Sequence, residues 1–314
     1  MAGLSAIVPV HGRQESLDRV YQEYAPALLG RGEPVEFLFV FPPEGADAAA
    51  PLEPLKAAGA PIRILRLAQP AGLARLTRAG ATHASHERLL LLLPYRRIEA
   101  TGLEALLAKL DDGVDAAFAA RTPDRETGAA RLHRRLFHWL ARPVSKGQFR
   151  DLGSGVGAVR RDALLATPAY GDFFRFLPAL MMREGFAVAE VPVARHAADQ
   201  RPSVYPLGTY FRSLIDLLGM YFLARFTERP LRFFGLVGLL LAIPGMVLLA
   251  VLLVQRIDGV GIANRPALLL GTLLLALGVQ AIALGLVAEI IVHLNAPTRR
   301  SYRLARGSDG AQPE

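Results

Sequence analysis

The sequence predicts an α/β domain on a mostly parallel sheet, followed by an interfacial helix and a two-helix transmembrane hairpin. Three observations predict it. Short apolar runs alternate with helical patterns from Leu4 to Ala120. An aromatic-rich segment carrying scattered charges follows at Thr209–Phe226. Two long uncharged apolar stretches, Phe233–Val254 and Pro266–Ala288, come after it.

The first run is Leu4–Val10, ended by His11-Gly12. Ser16–Leu29 then carries helical spacing at Leu17, Val20, Tyr21, Tyr24, Ala25 and Leu28. Val35–Phe41 is a second strand, stopped by Pro42-Pro43. Ile62–Leu67, Arg88–Leu93 and Asp115–Ala120 are further strands, separated by helices at Gly72–His83 and Leu103–Leu110. Such alternation predicts a parallel sheet covered on both faces, with ligands bound beyond the C-terminal ends of its strands. Those ends fall near His11, Pro42 and Pro94. Residues 121–150 are rich in Arg and read as a mobile basic connector. Asp151-Leu-Gly-Ser-Gly-Val-Gly157 is a Gly-rich turn, and Ala187–Val193 is a last strand.

Thr209–Phe226 sets Arg212, Asp216 and Arg225 among Phe, Tyr and Leu, the pattern of an amphipathic helix lying in a bilayer interface. An ordinary packed helix is the alternative. The two uncharged stretches run for 22 and 23 residues, and a helical span needs about 20. Arg225, Arg229 and Arg232 precede the first span, and Arg299, Arg300, Arg303 and Arg306 follow the second. The loop between them has only Arg256 and Arg265, so both termini are expected in the cytoplasm. The N-terminus lacks the basic start and long apolar run of a signal peptide. The expected division is 1–205 for the α/β domain, 206–232 for the interfacial region, 233–293 for the hairpin and 294–314 for a basic tail. The expected place is the inner (cytoplasmic) membrane of the cell.

Composition narrows the chemistry. The 314 residues include no cysteine, which excludes disulfides, thiolate metal sites and a cysteine nucleophile. A net charge of +8, mostly from Arg, points to nucleic acid, anionic lipid or a phosphorylated partner. No run of five basic residues and no nucleic-acid motif occurs, so nucleic acid is not expected and lipid head groups and phosphates are. Ser154 has no His–Asp arrangement to make it a nucleophile. His133 and His138 are five apart, which turns the rings away from one another on a helix, and His11 stands alone.

These parts, in this order, resemble the polyprenyl-phosphate glycosyltransferases of glycosyltransferase family 2, the dolichol-phosphate-mannose-synthase-like enzymes. The resemblance implies a GT-A (Rossmann-like) fold for the first domain. Ala6-Ile-Val-Pro-Val-His-Gly-Arg-Gln-Glu-Ser-Leu17 is similar to the family's opening strand and loop, which touches the nucleotide base and would put Pro9 and Glu15 at the donor. Pro42-Pro-Glu-Gly-Ala-Asp47 stands where the family has Asp-Asp-Gly-Ser-x-Asp, leaving Asp47 as a donor-side carboxylate. Pro94-Tyr95-Arg96 stands where the family's Asp-x-Asp holds a divalent metal on the donor diphosphate. Asp151-Leu-Gly-Ser-Gly155 resembles the Asp-x-x-Ser-Gly segment beside the acceptor and makes Asp151 the catalytic candidate, against the alternative of a turn or helix-cap Asp. Glu190-Val-Pro-Val193 followed by Arg201-Pro-Ser-Val-Tyr205 resembles the family's basic phosphate loop. There Arg201, Ser203 and Tyr205 would hold the lipid phosphate, with Val204 at the Lys position.

Two readings follow. One is transfer of a sugar from a nucleotide sugar to polyprenyl phosphate by a metal-free route, with Arg96 and Arg97 neutralising the diphosphate. No metal cofactor is expected, because both Asp-x-Asp carboxylates are absent. The other is a catalytically silent relative that binds lipid phosphate or anionic lipid, or pairs with a membrane protein. Gly271, Gly278 and Gly285 recur every seven residues, a small-residue stripe for close packing within one hairpin or in a homo-oligomer. Glu289 is expected to pair with an Arg near the membrane surface.

Overall fold

The computed structural model describes residues 3–121, 149, 151, 154–167, 176–199, 230–259 and 266–295. It has two compact units, Met1–Leu218 and Gly219–Glu314. Arg201, Ser203, Tyr205 and the expected interfacial helix Thr209–Phe226 lie outside the described residues.

The first unit is built on a seven-stranded sheet. Its strands are β1 Leu4–Pro9, β2 Val35–Phe41, β3 Ile62–Arg66, β4 Arg88–Leu91, β5 Ala116–Arg121, β6 Gly157–Arg160 and β7 Val188–Val193. They lie in the order β3-β2-β1-β4-β6-β5-β7. β1 pairs in parallel with β2 and β4, β2 with β3, and β5 with β7. β6 runs antiparallel to both β4 and β5. The sheet is therefore mostly parallel, as the alternation predicts.

Its strands read as continuous apolar runs because both faces are covered. Phe37, Phe39 and Phe41 of β2 pack with α1 (Leu17–Leu29) and α4 (Thr101–Asp111) on one face. Val40 and Ile7 point to the other, against α3 (Leu73–His83), α5 (Arg161–Ala166) and α6 (Leu177–Arg183). Burying each such side chain contributes about 1.5–3 kcal/mol. The helical spacing of α1 is used as read: Leu17, Val20, Tyr21, Tyr24, Ala25 and Leu28 are all buried. A short 3₁₀ segment, Pro43–Leu52, and the five-residue α2, Glu53–Ala57, link β2 to β3.

The inserted strand β6 is what the Gly-rich stretch hides. A Cβ at Gly157 would lie 2.5 Å from the Phe118 ring and 2.9 Å from the Ala117 carbonyl oxygen. Only glycine lets β5 and β6 close at that point, so the residue that reads as turn is in the sheet.

The second unit is a pair of long helices, α7 Pro230–Ile257 and α8 Pro266–Asn295. Both are long and apolar enough to cross a membrane. Leu240, Ile257, Leu269 and Leu294 are among many large apolar side chains left exposed on them, unlike the core helices of a soluble protein. The glycine stripe packs the two helices of one chain against each other. A Cβ at Gly278 would lie 2.6 Å from Ala242 N and from the Gly238 carbonyl oxygen. A Cβ at Gly245 would meet Leu275 N at 2.7 Å and the Gly271 oxygen at 2.9 Å. Glu289 Oε2 accepts the Leu231 backbone N–H at 3.2 Å, satisfying an otherwise orphaned donor in the first turn of α7, while Arg225, Arg229 and Arg299 beside the spans lie outside the described residues.

Candidate active site

The C-terminal edge of the sheet brings the β1 loop and the β4 loop together. Pro9 is buried at the end of β1, in register with Val40. The Glu15 N–H donates to the Pro94 carbonyl at 2.8 Å, stapling the two loops through their backbones. Their side chains complete the tie. Arg96 Nε donates to Glu15 Oε2 at 3.0 Å, and Arg13 Nη2 lies 4.0 Å from Glu15 Oε1. The Tyr95 ring takes the Arg13 guanidinium at 4.7 Å from its centroid and that of Arg97 at 5.7 Å. Arg97 Nη1 also donates to the Tyr95 hydroxyl at 2.9 Å.

Tyr24 of α1 supports this edge from below. Its hydroxyl donates to the Ile98 carbonyl at 3.0 Å and accepts the Arg97 N–H at 3.2 Å. Burial pushes its phenol up to about 12, so it stays a neutral donor. Asp47 lies exposed on the 3₁₀ segment, on a separate loop.

The other half of the edge is a charge cluster. Arg121, at the end of β5, grips Asp151 with two bonds, Nε to Oδ2 at 2.6 Å and Nη2 to Oδ1 at 2.9 Å. Arg121 Nη1 reaches Asp199 Oδ2 at 3.2 Å, and Arg195 Nε donates to the same oxygen at 2.9 Å. The Asp151 N–H donates to Glu190 of β7 at 2.8 Å. The Arg121 and Asp199 side chains are only 6% and 3% exposed. Burial alone would raise the Asp151 carboxyl, but the Arg121 bonds and charge, with Arg97 nearby, hold it below the usual carboxylate range. Burial pulls Arg121 down, and Asp151 and Asp199 outweigh it, leaving the guanidinium above its ordinary value.

The two halves meet through the backbone. Glu99 N–H donates to the Ala194 carbonyl and His196 N–H to the Arg97 carbonyl, both at 3.1 Å, with a bridge between Ile98 and Arg195. The segment after β7 is thereby fixed against the β4 loop. This is where Arg121 overturns the reading of residues 121–150 as a mobile stretch from its first residue: Arg121 is buried at a strand end. Arg195 and Asp199 also escape the motif reading, while Arg13 and Tyr95 lie inside the quoted motifs without an assigned role. The rule that ligands gather at strand ends could have found Arg121; nothing local marks Asp199.

The residues at the Asp-x-Asp position do not fit a divalent cation. Guanidinium groups and a phenol stand there, and the neighbouring carboxylate, Glu15, is already paired with Arg96. Metal sites for Mg²⁺ or Mn²⁺ are built from oxygen anions and waters. Glu23, Glu99 and His196 do cluster, with ligand atoms within 4.8 Å of one another. His196 Nδ1, however, accepts the Ala198 N–H at 2.9 Å, so Nε2 carries the proton and faces Glu23 at 3.5 Å. A metal needs a lone pair at that nitrogen.

No family model matches the chain. The dodecaprenyl-phosphate galacturonate synthase of Rhizobium johnstonii is 25% identical over 300 residues, 92% of this chain and 88% of the relative. The undecaprenyl-phosphate 4-deoxy-4-formamido-L-arabinose transferase of Enterobacter sp. (strain 638) is 26% identical over 309 residues, 96% and 93% of the two chains. The chain is a relative of the polyprenyl-phosphate glycosyltransferases. Its similarity to them runs through both the α/β unit and the helical hairpin. Glucosyl-3-phosphoglycerate synthase from Mycobacterium tuberculosis, solved with Mn²⁺, UDP and phosphoglyceric acid, superposes with a TM-score of 0.53 at 15% identity, covering 70% of this chain and 78% of that one. That likeness shows the GT-A fold of this glycosyltransferase relative.

Proposed function

We propose that the protein transfers a sugar from a nucleotide sugar to polyprenyl phosphate at a membrane surface, without a divalent cation on the donor. The observation that carries this reading is the similarity over nearly the whole chain to two transferases named for a polyprenyl-phosphate acceptor. An oxygen of the lipid phosphate attacks the anomeric carbon as the bond from that carbon to the diphosphate breaks. The nucleoside diphosphate leaves with the electron pair, and the sugar stays on the lipid phosphate. A phosphate monoester is already largely dianionic at neutral pH, so the attack needs no general base. Asp151, whose oxygens are held by Arg121, positions that guanidinium on the acceptor side rather than taking a proton. Arg201, Ser203 and Tyr205 hold the lipid phosphate, and Glu15, Arg96 and Arg97 belong to the donor side.

In this reading 206–232 lies in the interface, the spans of the 233–293 hairpin cross the membrane, and both termini are cytoplasmic. The excess of Arg beside the outer ends of the two spans supports that orientation. The chain works in the inner membrane, alone or with a membrane partner. The replaced carboxylates favour a second reading, a silent subunit that binds lipid phosphate without turnover. Purified full-length protein, given undecaprenyl phosphate and a panel of radiolabelled nucleotide sugars in EDTA and in Mn²⁺, separates them. Appearance of labelled lipid in EDTA supports metal-free transfer. Lipid-phosphate binding with no labelled product from any donor supports the silent subunit.

A further inference from the structure

Glu15 sits where an anion would. Its two carboxylate oxygens face two guanidinium groups, Arg96 at 3.0 Å and Arg13 at 4.0 Å. The bridge is not a loose surface pair. Its backbone is pinned to Pro94, and Tyr95 holds the Arg13 guanidinium against its ring. The Arg13 and Arg96 side chains are 49% and 24% exposed, so an incoming ligand can reach both.

We propose that Arg13, Tyr95, Arg96 and Arg97 form a nucleoside-diphosphate cradle, in which Glu15 neutralises Arg96 until the diphosphate displaces it. This deepens the proposed function and rests on its placing of the donor at this sheet edge. The charge argument decides the exchange. A single carboxylate brings one negative charge to two guanidinium groups. A diphosphate brings two to three, with more acceptor oxygens spaced for a planar fork. Arg97 donates to the Tyr95 hydroxyl, with its guanidinium 5.7 Å from the ring centroid, and keeps the platform cationic. Glu15 also prevents the empty arginines from repelling each other, which keeps the loops assembled between turnovers.

The cradle makes an unusual prediction: removing an acidic residue from a donor site tightens donor binding. The test is calorimetry on full-length protein in nanodiscs, in EDTA, with UDP, GDP and base-free pyrophosphate as probes. Glu15→Gln is expected to tighten at least one nucleoside diphosphate and pyrophosphate about fivefold. Arg96→Gln is expected to weaken them about tenfold. In the Arg96→Gln background the gain from Glu15→Gln shrinks, since only Arg13 still faces that carboxylate, and melting curves on all variants check that each is folded. Affinity lowered or unchanged in Glu15→Gln overturns the proposal, as does binding that appears only with Mg²⁺ or Mn²⁺, or no binding of any probe. The transfer assay separates this from the parent reading. Transfer that requires metal leaves sugar transfer standing and overturns the cradle. EDTA-resistant binding with no transfer from any donor leaves the cradle and overturns transfer.

Discussion

Arg121 and Asp151 are joined through both carboxylate oxygens, at 2.6 and 2.9 Å, with the guanidinium almost wholly buried. Asp199 takes the remaining arm of the same guanidinium, and Arg195 balances Asp199. A strand end, a Gly-rich turn and the segment after β7 are thus locked by one set of charges. Removing one partner strands the others in a poorly solvated place. Arg121→Ala should cost about 3–5 kcal/mol of stability. Urea unfolding of the variant in detergent measures it, and a loss under about 1 kcal/mol, the worth of an exposed pair, would mean the cluster is hydrated.

The same pair predicts an acid limit. The folded-state carboxyl of Asp151 is depressed, so its contribution is fully present above the unfolded carboxylate value, about 4. It is lost as pH falls through the lower folded value. Melting temperature measured from neutral pH downward should decline through that acid range. In Asp151→Asn part of the decline should vanish, and an identical profile in both proteins would reject this assignment.

Glu36 is another buried carboxylate, at the opposite end of the sheet. It accepts from Ser5 Oγ at 2.6 Å, from the Ser85 N–H at 2.5 Å and from Arg63 at 2.7 Å. Burial raises its carboxyl, but these bonds outweigh burial and leave it lowered. Glu36→Gln should cost about 1–3 kcal/mol while leaving any transfer activity per folded molecule unchanged, because it lies far along the strands from the β4 loop. Thermal melts and a transfer assay on the same preparation decide both halves.

Tyr24→Phe removes one hydroxyl that both donates to Ile98 and accepts from Arg97. The expected loss is about 1–3 kcal/mol, the cost of two buried backbone groups left unpaired. Donor binding should weaken as well, since the Arg97 backbone is no longer held. Equal affinity in the variant would show that the β4 loop is fixed from elsewhere.

The hairpin tolerates no side chain at Gly278. A Cβ there meets Ala242 N and the Gly238 oxygen at 2.6 Å, and both are backbone contacts that cannot rotate away. Gly278→Leu should force α7 and α8 apart. The chain has no cysteine, so a cysteine pair introduced at Leu231 and Glu289, which meet across the two helices at 3.2 Å, gives a clean readout. Crosslinking should be efficient in the parent and largely lost with Leu at 278.

Much of the sheet was legible because its strands are buried on both faces and bounded by Pro or Gly. Val35–Phe41 is read and found with the same ends. β4 stops at Leu91, short of the apolar run's end at Leu93, since Pro94 has no N–H to continue a ladder. β6 was not legible. Four residues beginning at a glycine carry no period, and their strand exists only because β4 and β5 leave a gap between them. At the site, the order of motifs pointed to Pro94-Tyr95-Arg96 and to Asp151. It did not show that Glu15 pairs with Arg96, or that Asp151 is consumed by Arg121.

Taken alone, the sequence determined what is local and periodic: the α/β alternation, the helices of the hairpin, and the loss of both carboxylates after β4. Those features follow from residue type and spacing, which short segments carry in themselves. Only the tertiary structure decided which charges neutralise which. Glu15 and Arg96 are 81 residues apart, and Arg121 and Asp199 are 78. Their pairing is set by which strand ends the sheet brings to one edge, and the energy of an ion pair depends on distance and burial that no short segment encodes.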